Sequence, residues 1–241
     1  MPSDNRQTKL ERRERLPWRA FPCSECSGGR SPCDFLRESL DSGKVGFGTQ
    51  LDQQIEIEAR LLVEWAKSCP HAATGFLDPP LLAEGSEHAV YLQAEIGEVY
   101  KITLPGIFGD WYFLENGFVR QTKCTPTLYL FRLELWADLF GSTQTEPEGA
   151  APIPIGVTPT GQIVTRQKFI ETSPPTQQQV DDGLETDGWI PLKKNCWLWR
   201  KPINEEYEVR LGDARDENFA LRQGRLIPID IRLWLVKRSA D

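Results

Sequence analysis

The sequence predicts an α+β fold, and three observations predict it. Residues 82–104 read as three short strands broken by Gly-containing turns, and residues 51–68 and 125–140 carry apolar side chains at helical spacing. Short strand patterns then return between 153 and 229. With 39% hydrophobic residues in 241, the chain is too apolar for wholesale disorder and long enough to bury a core.

The first helix is expected over 51–68, where Leu51, Ile55, Leu62 and Trp65 recur on one face; Pro70 forbids its continuation. Gly75 to Pro80 reads as a linker. The three strands that follow are expected near 82–85, 89–93 and 98–104, turning at Gly85-Ser86 and Ile96-Gly97. Residues 106–123 read as an irregular aromatic connection. Leu128, Phe131, Leu135, Trp136 and Leu139 then form one apolar stripe of a helix over 125–140, stopped by Gly141.

Two further strands are expected near 153–157 and 162–170, joined by the turn residues Thr158 to Gly161. Residues 176–187 read as a short acidic helix. The last strands are expected near 196–200, 207–210, 219–222 and 226–229, the final two forming a hairpin at Gln223-Gly224. Trp189, Trp197 and Trp199 crowd this part and are expected to fill its core. No internal repeat is visible.

Charge and cysteines bound the function. The net charge of −7 argues against a nucleic-acid binder, whose footprint is a basic face. Residues 1–20 oppose the trend with six basic and three acidic residues, a run that reads as a solvated tail. They lack an apolar signal core, and no stretch approaches the ~18 apolar residues of a membrane helix. A cytoplasmic protein with reduced thiols is expected. Cys23, Cys26 and Cys33 supply three of the four ligands of a structural Zn2+ site, with Cys69 or His71 as a fourth; scattered thiols in a Gly- and Pro-rich leader are the other reading. The chain thus divides into a leader over 1–50, a helix and linker over 51–80, a β-rich part over 81–170 and a last part over 171–241.

The chemistry-bearing stretch is LGDARDENFALRQGRLIPID. Asp213 and Asn218 are spaced D-x-x-x-x-N, and Asp230 follows a hairpin. Phosphoryl transfer from ATP needs such groups: one carboxylate to orient the attacking hydroxyl, then a carboxylate and an amide oxygen to hold Mg2+ against the phosphates. Upstream, Lys101 sits within an apolar strand and needs an anionic partner, which phosphate oxygens would supply.

With the strand lysine, the D-x-x-x-x-N loop and the final P-I-D, the sequence resembles the protein-kinase-like superfamily in its aminoglycoside-phosphotransferase-like branch. It looks most like the compact kinase-like domains of phages and mobile elements called polyvalent protein kinases, which share a G-x-E-H-x-V-Y-x turn. The resemblance covers roughly residues 82–234. It implies two lobes: a small β-rich N-lobe with one helix over 81–170 and a truncated C-lobe over 171–241. It implies a nucleotide-binding transferase using ATP and Mg2+, acting on a protein or small-molecule hydroxyl. Lys101 would grip the phosphates beneath Gly85 and Ser86, Asp213 would be the base, and Asn218 and Asp230 would hold the metal. Glu134, or alternatively Glu115, would pair with the lysine, and the strand carrying Gln167 and Phe169 would meet adenine.

Departures keep a second reading open. Leu211 stands where the family has His, Asp230-Ile231-Arg232 replaces D-F-G, and eleven residues follow Asp230, too few for an activation segment. A catalytically weak pseudokinase, binding nucleotide and contacting a partner chain, is the alternative. Arg215 reads either as steadying Asp213 or a phosphate, or as part of a solvated cluster. His88 reads as a phosphate contact or as a satisfied strand histidine.

Overall fold

Helical spacing and strand alternation place most of the elements. The computed structural model describes residues 50–68, 80–115, 118–140, 152–171, 173–192 and 197–238. The cysteine and histidine candidates for zinc, Cys23, Cys26, Cys33, Cys69 and His71, lie outside these residues. Helix α1 spans Leu51–Ser68 and buries Ile55, Leu62 and Trp65, the face read from the sequence. Strands β1 (Leu81–Glu84), β2 (His88–Gln93) and β3 (Glu98–Thr103) follow, and a short 3-10 turn over Ala94–Ile96 ends at Gly97 in the left-handed conformation. The described chain is of mixed α+β class.

Residues 106–123 depart from the expected irregular connection. Strands β4 (Asp110–Glu115) and β5 (Phe118–Lys123) pair antiparallel as a hairpin of their own. Aromatic density across the stretch hid the strand alternation from the sequence reading.

Helix α2 (Pro126–Phe140) then precedes β6 (Ile153–Val157) and β7 (Ile163–Lys168). Together β1, β2, β3, β7 and β6 form one five-stranded antiparallel sheet in that spatial order. The burial of α2 also departs from a single stripe. Leu135 and Trp136 are buried as expected, but Leu128, Phe131 and Leu139 are only half-buried, whereas Tyr129, Leu130, Arg132 and Leu133 are buried. The cause is two-sided packing. Tyr129, Leu130 and Leu133 enter a core with α1, Phe108 and Ile163, while Leu135 and Trp136 enter a second core with Val180, Trp199, Val209 and Leu211. A helix covered on both sides has no polar face for periodicity to detect.

Glu58 of α1 ties the first two helices together. It is fully buried, and its Oε2 accepts the backbone N–H of Thr127 in the first turn of α2 at 2.9 Å. Gln54 donates to the other oxygen at 2.8 Å. The carboxylate thus satisfies a helix-end donor that nothing inside α2 can reach.

Helix α3 (Gln177–Thr186) opens with a capping box: the Thr176 hydroxyl accepts the Gln179 N–H, and the Gln179 side chain accepts the Thr176 N–H. Strands β8 (Ile190–Pro191), β9 (Trp199–Pro202) and β10 (Tyr207–Gly212) lead to a hairpin of β11 (Phe219–Arg222) and β12 (Arg225–Pro228). Gln223 and Gly224, both at positive φ, make its two-residue turn.

The hairpin does not end the fold. Arg232–Lys237 forms β13, which pairs antiparallel with β10 along its whole length and gives a four-stranded sheet ordered β13-β10-β9-β8. Its apolar run Leu233 to Val236 lacks clean alternation, so pattern alone did not mark it. Trp189 and Trp199 are buried as expected, but Trp197 is 53% exposed, with the Arg215 guanidinium 5.6 Å from its ring. No helix among the described residues is long and apolar enough to cross a membrane.

Candidate functional site

The amine of Lys101 decides where the site lies. Pleat alternation on β3 turns its side chain inward, and Nζ donates to the Ile229 carbonyl at 2.8 Å and to Asp230 Oδ1 at 3.2 Å. A buried ammonium needs such acceptors, and here they come from the loop after the β11–β12 hairpin. Partial withdrawal from water works against ionisation of Asp230, but the charge of Lys101 beside it prevails and holds its pKa below the usual carboxylate value.

Asp213 and Asp230 belong to neighbouring loops that are bonded to each other. The Asn218 amide nitrogen donates to the Asp213 carbonyl at 2.8 Å, and the Asn218 carbonyl accepts the N–H groups of Ile229 at 2.7 Å and Asp230 at 3.3 Å. Asp213 sits at φ +62, an uncommon conformation for a residue with a side chain, and its carbonyl also accepts the Arg215 N–H. Arg215 Nε donates to Asp213 Oδ1 at 2.7 Å, so this arginine steadies the aspartate.

A cleft of about 320 Å3 opens at this junction, lined by Gly85, Ser86, Lys101, Asp213 and Asp230 among others. Asn218 is buried and is not among the residues that line the cleft. The other residues singled out from sequence are placed elsewhere. Glu134 is buried on α2 and is not among the cleft residues; the carboxylate beside Lys101 is that of Asp230. Glu115 ends β4, paired with Phe118. Gln167 is buried on β7, its amide nitrogen 3.5 Å from the Pro228 carbonyl, while Phe169 is exposed just beyond that strand; neither lines the cleft.

Sequence reasoning passed over part of the wall. Glu87 and Arg132 line the same cleft and form a two-point ion pair, with the Arg132 guanidinium 4.8 Å from the Tyr129 ring centre. Burial would raise the Glu87 carboxyl, but Arg132 and the neighbouring imidazole outweigh it and keep the pKa low. An arginine inside an apolar helical stretch was the available signal. His88 is satisfied: its Nε2 lies 2.9 Å from the Tyr129 hydroxyl. Burial, reinforced by the charges of Lys101 and Arg132 against the opposing pull of Glu87, lowers its pKa to about 4, so the ring is neutral at physiological pH.

Comparison with family models, with curated proteins and with solved structures gave no match. Four cationic residues (Lys101, Arg132, Arg215 and Arg232) and four acids (Glu84, Glu87, Asp213 and Asp230) line the cleft together with the Gly85-Ser86 turn, a mixed lining suited to a ligand carrying both negative charge and bound cations. No cluster of three or more His, Cys, Asp or Glu side chains is placed to hold a metal ion among the described residues. A larger cavity of about 540 Å3 between α3 and the β11–β12 hairpin contains none of the sequence constellation.

Proposed function

We propose that this cleft binds ATP with Mg2+ and transfers the γ-phosphate to a hydroxyl of a protein or small molecule, within a kinase-like two-lobed fold. The observation that carries the reading is the pairing of Lys101 with Asp230 at 3.2 Å, in a cleft that Asp213 also lines. The order of parts supports it as well: turn, strand lysine, helix, then β7, the D-x-x-x-x-N loop, a hairpin and an aspartate. The two separate buried cores bridged by α2 agree with two lobes.

In this reading Lys101 neutralises phosphate oxygens beneath Gly85 and Ser86. Asp230 and the amide oxygen of Asn218 would hold Mg2+, which takes few protein oxygens and keeps water and phosphate for the rest, and the ion would neutralise charge on the phosphates. Asp213 accepts the proton of the acceptor hydroxyl as its oxygen bonds to the γ-phosphorus. The bond from that phosphorus to the bridging oxygen breaks, and ADP leaves. Adenine would have to extend past the cleft toward Gln167 and Phe169. A cytoplasmic setting, where MgATP is abundant, belongs to the same proposal.

The test is transfer or hydrolysis of labelled ATP by the full chain, with Lys101→Ala shown to be folded by circular dichroism. Turnover should fall by at least about a hundredfold; unchanged turnover would sink the assignment. A second reading, a nucleotide-binding module without catalysis, is favoured by one observation. Leu211, fully buried, occupies the place of the family's histidine, so no imidazole supports the loop there. A Mg2+-dependent thermal shift with ATP, but no transfer and no ADP, would select it.

A further inference from the structure

The Gly85-Ser86 turn is weakly held by its own strand. Every residue of β1 is exposed and β1 is the edge of its sheet, so on that side no core contact fixes the turn; on the other side the Gly85 N–H donates to the His88 carbonyl of β2 at 2.9 Å. What reaches across from the turn is Glu87, whose carboxylate meets the buried Arg132 of α2 at two points. Its backbone carbonyl also accepts the Leu104 N–H at 2.9 Å. The surroundings make room for this carboxylate: Gly109 sits at φ +77, and a Cβ there would overlap the Glu87 side chain.

We propose that Glu87 and Arg132 form a latch that fixes the Gly85-Ser86 turn against α2 and thereby sets how tightly the cleft holds a phosphate-bearing ligand. The ligand class rests on the nucleotide reading above; the latch itself does not. Lys101 is paired with Asp230, and Arg132 is the α2 residue whose ion pair with Glu87 ties the helix to the turn. Both are positioning residues. Rigid placement of the turn lowers the ordering cost of binding phosphate, so loosening it weakens affinity more than it slows the chemical step.

Hydrogen–deuterium exchange on the full chain tests the latch without nucleotide. In Glu87→Gln and in Arg132→Lys, peptides covering residues 83–89 should exchange about tenfold faster or more, while β3 and β7 stay protected. Unchanged exchange of the turn in Glu87→Gln overturns the latch. With MgATP, KM should rise roughly tenfold or more with kcat altered less than about threefold, Arg132→Lys being milder than Arg132→Met. A loss confined to kcat also overturns it. Should a single variant fail to fold because one charge is left buried, the Glu87→Gln/Arg132→Met pair, which removes both charges, takes its place in the same measurements. If the wild-type protein neither binds nor turns over MgATP, the nucleotide reading fails, and the exchange data still decide the latch.

Discussion

The Lys101 ammonium and the Asp230 carboxylate meet at 3.2 Å although 128 residues separate them in the chain, and the lysine is buried while the aspartate side chain is 63% exposed. One partner is fixed by the sheet and the other faces the cleft. The aspartate is therefore the member free to engage a further cation. The first prediction follows from that asymmetry. Asp230→Asn keeps the shape, removes the charge and leaves Lys101 its bond to Ile229. The Mg2+-dependent part of an ATP-induced thermal shift should vanish, whereas any shift with ATP alone should persist.

Acidification should destabilise the fold through His88. Its pKa falls from an unfolded value of 6.5 to about 4 in the folded state, so between those values the unfolded chain binds more protons. Stability should rise with pH across that window and fall on going from pH 6.5 toward 4, by on the order of 3 kcal/mol in total. Denaturant titrations should show this slope flattened in His88→Gln.

Glu58 should matter far from any chemistry. Replacement by Ala leaves the Thr127 N–H buried without its acceptor and should cost about 1–3 kcal/mol by urea unfolding. Glu58→Gln, which keeps an oxygen but loses the charge facing the helix end, should cost less.

Gly109→Ala should cost at least about 1 kcal/mol, since an L side chain at positive φ is strained. The added methyl also collides with Glu87, so the variant should raise KM for MgATP as Glu87→Gln does.

Leu211→Ala should destabilise by roughly 2–5 kcal/mol, the size of a cavity in a well-packed core. Calorimetry or urea titration reads this directly. A much smaller effect would mean that β10 tolerates collapse at this position.

Much of the fold was legible in local pattern. The 51–68 helix, the strands over 82–104 and the Gln223-Gly224 hairpin follow from spacing and turn chemistry, which act over a few residues. The β4–β5 hairpin and β13 were not read, because aromatic crowding and an unbroken apolar run hide strand alternation. Within the site, Lys101, Asp213 and Asp230 were recognisable by residue type and order. Glu134 was offered by the resemblance as a partner for Lys101; the bond of Lys101 to Asp230 is one that only the folded arrangement reveals.

By itself the sequence determined most of the helices and strands and the order in which Lys101, Asp213 and Asp230 follow one another, because helix period, strand alternation and turn residues are local properties. Only the tertiary structure decided the partners: Asp230 for Lys101, Arg132 for Glu87 and Thr127 for Glu58. Buried charges choose partners by distance in space, and the desolvation that forces the choice exists only once the sheets and α2 have closed around them.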